Sequence, residues 1–314
     1  MKILITGGGG FLGSRLARAM QAREPKAAIT LLDMAFPPGL ERDFRCVKGD
    51  VAAREVLQGV LGDDTASVFH LAAVVSGGAE ADFDLGYHVN LDGTRALLEA
   101  CRKLVRAPRV VYASSVAAFG GVLPEVLDDS TTPAPQTSYG TQKVIGEYLV
   151  ADFTRKGFID GRSLRLPTIV VRPGKPNLAA SSFASSIIRE PLAGITVDCP
   201  VPETTGAWIL SPRRVVEAFV HAHDLAASAW PTTRVANLPG ITLTVREMIE
   251  AMGRVAGPDT AKRVRFVPDA RIQAIVKTWP VRFRTERALA MGFKADPDFE
   301  SVVRDHIESA AMAA

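Results

Sequence analysis

Cysteine is scarce in this chain. Cys46, Cys101 and Cys199 are the only three in 314 residues, far apart, odd in number and without a C-x-x-C pair. That spacing argues against a disulfide framework and against a cysteine-held metal. It points to a reducing compartment, so the expected location is the cytoplasm. Long apolar runs are missing too. No uninterrupted stretch approaches the roughly 18 residues of a membrane-spanning helix, so no membrane partner is expected. Met1 leads into a short apolar run that breaks at Gly7, without the cationic region, apolar segment and small-residue cleavage site of a secretory leader. Charge of one sign is not in excess either: 37 Lys and Arg against 34 Asp and Glu leave +3. No block of like charges appears, and nucleic acid is therefore not an expected partner.

What is present suits a large folded core, with 47% hydrophobic and 23% charged residues. Short apolar runs alternate with helical patterns through the first half: KILIT, then FLGSRLARAMQ; AITLLD; SVFHLAAVV; LDGTRALLEACRKL; RVVYASS; YGTQKVIGEYLVADF; SLRLPTIVV. Nearly continuous apolar strands between helices predict an α/β fold, a doubly wound parallel sheet covered on both faces. Such sheets bind ligands at the carboxyl ends of their strands. After about Pro173 the texture turns to small, polar and proline residues. The expected division is therefore a nucleotide-binding domain over 1–173, to which segments near 212–256 return, and a smaller substrate-binding lobe with C-terminal helices over 174–314. Thr244-Val-Arg-Glu247 matches a capping box, with Val245, Met248, Ile249, Met252 and Val255 as the apolar face of the helix it starts. A final helix is expected from near 297 to 306.

The first strand runs into Gly7-x-x-Gly10-x-x-Gly13 and then into a helix. Gly7 allows the tight turn, Gly10 lets backbone approach a pyrophosphate, and Gly13 lets helix and strand pack closely, while Gly8 and Gly9 occupy variable positions. The helix N-terminus offers free N–H groups to the phosphates. Asp33 lies 20 residues beyond Gly13 at the tip of the second strand. A carboxylate there accepts both ribose hydroxyls of adenosine and repels a 2′-phosphate, which selects NAD over NADP. Asp50, in Gly49-Asp50-Val51, is either an acceptor for the adenine amino group or a turn residue that N-caps the next helix.

The segment SYGTQK places Tyr139 and Lys143 four residues apart, on one helix face. An ammonium beside a phenol favours phenolate, drawing the tyrosine pKa from about 10 toward neutrality. Such a tyrosine can remove an alcohol proton while hydride leaves the same carbon. The strand RVVYASS ends in Ser114-Ser115 some 24 residues earlier, at the sheet edge where a serine hydroxyl can hold the substrate oxygen.

TGGGGFLG, GDV, HLAA, NLDGT, ASSVAAFG and YGTQK follow one another in the order and approximate spacing of the extended short-chain dehydrogenase/reductases. The chain resembles that family over nearly its whole length. The resemblance implies a Rossmann fold with NAD as cofactor, Tyr139 as the base, and Lys143 lowering its pKa while bonding the nicotinamide ribose. It implies Ser115, with Ser114 as the alternate, as the residue that orients the substrate oxygen, and Asn90 as support for a proton relay through the lysine. The cofactor would be lined by Phe11 and Leu12 beside the glycines, by Val51, and by Leu71, Ala72 and Ala73. His70 is read as a buried structural histidine. The family's R-[YF]-x-N is replaced here by Arg165-Leu166-Pro167-Thr168, so the nicotinamide-side contact is expected from backbone around Pro167 to Ile169. A homodimer is implied, joined through the helices near 90–104 and 139–156.

For the substrate, Ser76-Gly77-Gly78 in the loop after the fourth strand offers hydroxyl and backbone groups to a small polar ligand. Arg172, Lys175, Asn177, Ser181 and Ser182 offer cations and hydroxyls that suit a short carboxylate bearing alcohols. Two other readings stand beside this dehydrogenase. One is a nucleotide-sugar epimerase, with Asn177-Leu178, Arg213 and Arg282 on a diphosphate. The other is a non-catalytic NAD sensor, although sensors of that kind tend to lose the tyrosine or the lysine. His221-x-His223-Asp224 has the wrong spacing for a shared helix face, so no metal is expected.

Overall fold

Most strands of the N-terminal half are buried over runs of four or more consecutive residues rather than on alternate ones. In β1 (Lys2–Thr6), Ile3, Leu4, Ile5 and Thr6 are all buried. That pattern requires helices on both faces of a parallel sheet. The structure, a computed structural model, describes residues 1–174 and 181–311 and divides into two units.

The first unit comprises Met1–Ala118, Pro135–Arg165 and Val216–Asn237. Its sheet contains β1, β2 (Ala28–Asp33), β3 (Arg45–Lys48), β4 (Thr65–His70), β5 (Arg109–Ser115), β6 (Asp160–Leu166) and β7 (Val235–Asn237), in the spatial order β7-β6-β5-β4-β1-β2-β3. It is parallel, with Thr6 of β1 opposite Leu32 on one side and His70 on the other. This is the doubly wound Rossmann arrangement. Strand order reverses between β1 and β4, so a crevice opens at their carboxyl ends. The glycine loop follows β1 and HLAA follows β4, which puts both motifs at that switch point. Leu4, Leu32, Val68, Val110, Leu97 and Val150 form part of the core between sheet and helices.

The second unit comprises Phe119–Ala134, Leu166–Val215 and Leu238–Ala314. A three-stranded sheet joins Ile241–Thr244, Gly206–Leu210 and Thr168–Ile169, and a two-stranded one joins Val264–Phe266 to Val197–Cys199. Helix Val245–Ala256 starts at the expected capping box: Glu247 N–H donates to Thr244 Oγ1, and Thr244 N–H donates to Glu247 Oε2 at 2.7 Å. Val245, Met248 and Met252 are buried, with Ile249 and Val255 half-buried against the same core as Val302 and Val303. The last helix, Phe299–Ala311, runs past the expected end because ESVVRDHIESAA holds no glycine or proline to stop it. Of the stretch expected to return to the nucleotide-binding domain, 216–237 lies in the first unit and 238–256 in the second.

The segment after β4, read as a loop, is helical from Ser76 onward. Ser76–Ala81 and Phe83–Gly86 are short helices, the second capped by Asp82 Oδ1 accepting the Leu85 N–H, and Tyr87–Asp92 is a π-helical turn leading into helix Gly93–Cys101. Among the described residues no helix is long and apolar enough to cross a membrane.

Candidate active site

Backbone geometry shapes the glycine loop. Gly7 has φ +71°, in the region that favours glycine, and a Cβ there would lie 2.7 Å from Ala72 N. A Cβ on Gly13 would run into the Gly7 carbonyl, which explains the helix–loop contact expected of it. Gly10 differs, because the only atom near its Cβ position is Gly7 O at 3.3 Å, so its outer face is open. It precedes helix Phe11–Arg23 and supplies no side-chain cap, leaving the first-turn N–H groups of Phe11 and Leu12 to an anion. Gly8 and Gly9 are not variable positions. A Cβ on Gly8 would meet Leu31 Cβ at 2.7 Å, and one on Gly9 would overlap the Ala35 carbonyl.

Asp33, at the tip of β2, accepts the Gly9 N–H on Oδ2 at 3.0 Å and the Met34 N–H on Oδ1 at 2.7 Å. Asp50 does not cap a helix; the next one starts at Arg54 after Ala53. It accepts the Ala52 N–H at 2.8 Å and contacts His88 Nε2 at 2.6 Å. Burial alone would push the Asp50 carboxyl up, but those two partners outweigh it and hold it below the usual carboxylate range. Val51 is buried beside Gly93. Leu71, Ala72 and Ala73 follow β4 half-buried, with Leu71 N–H donating to Thr6 O at 3.1 Å. An open pyrophosphate approach, an uncapped helix start and a carboxylate at the β2 tip together fit a dinucleotide without a 2′-phosphate.

Tyr139 and Lys143 lie on helix Ser138–Arg155, which Thr137 caps by accepting the Gly140 N–H. Gly140 lets that helix come close to the segment after β5: a Cβ there would overlap Ala117 O. The chain just beyond Ser115 is thereby held against the tyrosine turn. Tyr139 is half-buried, while Lys143 is buried, its Nζ 5.5 Å from the Tyr139 ring centroid and 4.9 Å from that of Tyr112. Lys143 donates to Ala113 O at 2.8 Å. Burial lowers its pKa to about 7, opposed by the Glu147 carboxylate. Burial pushes the Tyr112 phenol up, and the nearby Tyr139 and Glu147 add to this.

The two serines at the end of β5 take different roles, as strand alternation requires. Ser115 is half-buried, its hydroxyl accepting the Ala117 N–H at 3.1 Å and keeping its own proton to donate. Ser114 is buried and donates to Glu147 Oε1 at 2.5 Å, so its hydroxyl is committed inside the fold and it drops out as the alternate. The Asn90 amide is committed as well. It accepts the Val74 N–H at 2.8 Å and donates to Val74 O at 3.0 Å and to Gln142 Oε1 at 2.7 Å. Its backbone carbonyl accepts the Thr94 hydroxyl at 2.6 Å.

Glu147 and Arg165 were not among the residues singled out. Glu147 lies four residues beyond Lys143 and eight beyond Tyr139, the next position on the same face. Its carboxylate takes two hydrogen bonds from Arg165, at 2.8 and 2.7 Å. The i, i+4, i+8 series was the signal available.

Ser76 and Gly77 form the first turn of a short helix, both half-buried. In the second unit Pro167 is buried, and Ile169 is half-buried opposite Leu210. Arg172 donates from Nη2 to Ser181 Oγ at 3.2 Å and from its backbone to Ser185 Oγ at 3.0 Å, while its carbonyl accepts Arg189 Nη1 at 2.7 Å. Ser182 opens helix Ser182–Leu192. Asn177 and Lys175 lie outside the described residues. Arg213 and Arg282, offered to a diphosphate in the epimerase reading, pair with Asp305 and Glu125. His223 is buried between Ser67 Oγ at 2.8 Å and Asp224 Oδ1 at 3.1 Å. Among the described residues no group of three or more His, Cys, Asp or Glu is arranged to hold a metal.

Residues 3–234 match the model of the NAD dependent epimerase/dehydratase family. Over its full length the chain is 54% identical to all of the D-erythronate dehydrogenase of Cupriavidus necator. It is 44% identical to the D-erythronate dehydrogenase of Haemophilus influenzae, over 98% of this chain and 99% of that one. Among solved structures it is similar to the nucleoside-diphosphate-sugar epimerase from Agrobacterium tumefaciens, with a TM-score of 0.90 at 38% identity, covering 100% of this chain and 95% of that one.

Proposed function

The chain belongs to the NAD dependent epimerase/dehydratase family, and on that premise we propose that it is an NAD-dependent dehydrogenase of a four-carbon sugar acid. The substrate is D-erythronate, oxidised at its C2 hydroxyl to 2-dehydro-D-erythronate. The observation that carries the chemistry is the buried Lys143 ammonium 5.5 Å from the Tyr139 ring on one helix face. The substrate assignment is supported by two full-length relatives with that activity in their names, at 54% and 44% identity.

Tyr139, as phenolate, removes the C2 hydroxyl proton, and Lys143 stabilises the phenolate electrostatically. Ser115 donates its free hydroxyl proton to the substrate oxygen and aims it at the tyrosine. NAD⁺, when bound, supplies the hydride acceptor at C2. Gly10 and the N–H groups of Phe11 and Leu12 hold the pyrophosphate. Asp33 takes the adenosine ribose, Asp50 and Val51 border the adenine, and Leu71, Ala72 and Ala73 lie along the cofactor with Gly7 and Gly13 shaping its loop. Asn90 supports the turn that faces the lysine. Pro167 and Ile169 serve the nicotinamide side, while Ser76, Gly77, Arg172, Asn177 and Ser182 recognise the substrate, with the Arg172 guanidinium on its carboxylate. Cytoplasmic residence accords with three free cysteines. A homodimer through helices Gly93–Cys101 and Ser138–Arg155 accords with Tyr148, which is 67% exposed on the outer face of the second.

The test is NADH release from a panel of four- to six-carbon sugar acids with NAD⁺ and with NADP⁺. D-Erythronate with NAD⁺ is expected to lead. No NADH from any acid, together with epimerisation of UDP-sugars, refutes the dehydrogenase. Light scattering at micromolar concentration tests the dimer.

A further inference from the structure

His70 plays no part in the chemistry above, yet it sits at the centre of a buried polar chain in which one bond direction, the Thr94 hydroxyl to the Asn90 carbonyl, sets the order of the rest. Thr94 Oγ1 donates its single proton to Asn90 O at 2.6 Å. His70 Nε2 lies 2.9 Å from that same oxygen, which the Tyr112 phenol also reaches; with the Thr94 proton on the Asn90 carbonyl, Nε2 carries a proton and donates it. A neutral imidazole has one N–H, which leaves Nδ1 as an acceptor. The Thr6 hydroxyl, 2.6 Å from Nδ1, therefore donates to it, and Thr6 Oγ1 accepts the Ala72 N–H at 3.3 Å. The sequence of donors is Ala72 N–H to Thr6, Thr6 to His70, His70 to Thr94, Thr94 to the Asn90 carbonyl. Thr6, His70, Thr94 and Asn90 are each no more than 1% exposed.

We infer that His70 is a positioning residue, locked as the neutral Nε2–H tautomer, that ties the glycine-loop side of the site to the Asn90 turn beside the tyrosine–lysine pair. One end of the chain is Ala72, whose nitrogen packs against Gly7. The other is Asn90, whose amide holds Gln142, the neighbour of Lys143. The titratable groups facing the imidazole are Tyr112, with ring centroids 5.6 Å apart, and behind it Lys143, Tyr139 and Glu147. A second cation at His70 would repel Lys143. Burial, reinforced by Lys143, holds the imidazole at a pKa of about 3, so it stays neutral. Substitution of either threonine by valine keeps the shape and cuts the chain at one known link.

The functional meaning rests on the dehydrogenase reading, so the test has one arm that does not. Nitrogen NMR of the full-length protein labelled at histidine is expected to show one imidazole, absent from His70→Gln and perturbed in Thr94→Val, with a protonated Nε2 and a bare Nδ1. That signature should be unchanged from about pH 5.5 to pH 9. The Nδ1–H tautomer, or titration in that range, overturns the inference. In the kinetic arm Thr94→Val lowers kcat about tenfold with KM for NAD⁺ unchanged, and Thr94→Ser restores it, whereas Thr6→Val raises the Kd for NAD⁺ about tenfold. Wild-type kinetics in both valine variants overturn the positioning role. A protein inert to NAD⁺ refutes the dehydrogenase reading, and the NMR signature then decides the chain by itself.

Discussion

Asp33 Oδ2 accepts the backbone N–H of Gly9 at 3.0 Å, so the carboxylate expected to select the cofactor also holds the glycine loop proposed to take its phosphates. The two duties separate by substitution. In Asp33→Asn the single side-chain oxygen can keep the bond from Gly9 but not also the one from Met34, and the charge that repels a 2′-phosphate is gone. Its preference for NAD⁺ over NADP⁺, measured as a ratio of kcat/KM values, should fall at least about tenfold, with about 1 kcal/mol of stability lost with the Met34 bond. Asp33→Ala should lose affinity for both cofactors. An unchanged ratio in the asparagine variant removes the selective role.

Lys143, the proposed partner of the tyrosine, sits buried at a cost in stability. Its pKa is about 7 in the folded protein because burial penalises the ammonium, against a usual value of about 10.4 when unfolded. Between those values the unfolded chain binds the extra proton, so stability rises with pH across that window, and below pH 7 the penalty is complete. Lys143→Met removes the penalty and loses the bond to Ala113 O, the contacts over the Tyr112 and Tyr139 rings and the attraction to Glu147. The variant should be inactive, yet more stable than wild type by about 2 kcal/mol at pH 6.5. That advantage should shrink as pH rises from 7 toward 10. Denaturant titrations of the cofactor-free proteins at pH 6.5 and 9 measure it, and an advantage that grows with pH contradicts the assignment.

The adjacent serines offer a clean contrast. Ser115→Ala removes a half-buried hydroxyl that accepts a backbone N–H from Ala117, so kcat should drop by about 100-fold with little change in stability. Ser114→Ala instead deprives a buried carboxylate of a donor, and should cost about 1–3 kcal/mol in stability with a smaller effect on kcat. The opposite pairing of effects would exchange their roles.

What was legible in the sequence were features with short periods. Tyr139 and Lys143 share a face because four residues make about one helical turn, and Thr244 starts a helix because its partner Glu247 is three residues away. The ends of the apolar runs AITLLD and RVVYASS located Asp33 and the pair Ser114-Ser115 at the carboxyl edge. The misreadings came where a distant chain segment decides. Gly8 is crowded by Leu31 and Gly9 by Ala35, both on or just after β2. Ser114 is committed by Glu147, 33 residues on. Ser76-Gly77-Gly78 reads as a loop by composition, since glycine opposes helix, but becomes the first turn of a helix whose Ala79 is fully buried.

Gly9 and Gly10 are adjacent and chemically identical, yet alanine should fail at each for a different reason. At Gly9 the new methyl would overlap the Ala35 carbonyl and crowd the Asp33 carboxyl carbon at 3.2 Å. The backbone must then shift, and the Gly9–Asp33 hydrogen bond is lost with it. Gly9→Ala should therefore unfold at lower temperature without any cofactor present, by about 1–3 kcal/mol. At Gly10 the methyl meets only Gly7 O, at a tight 3.3 Å that a shift of the loop relieves, and alanine is the less flexible residue when unfolded, so the cofactor-free protein should stay within about 1 kcal/mol of wild type. The space it fills is the approach assigned to the pyrophosphate, so NAD⁺ affinity should fall by at least about tenfold. Melting curves with and without NAD⁺ read both effects together: Gly10→Ala should lose the cofactor-induced rise in Tm while keeping close to the wild-type value without cofactor. A Gly10→Ala protein that still gains stability from NAD⁺ as wild type does would move the pyrophosphate away from this loop.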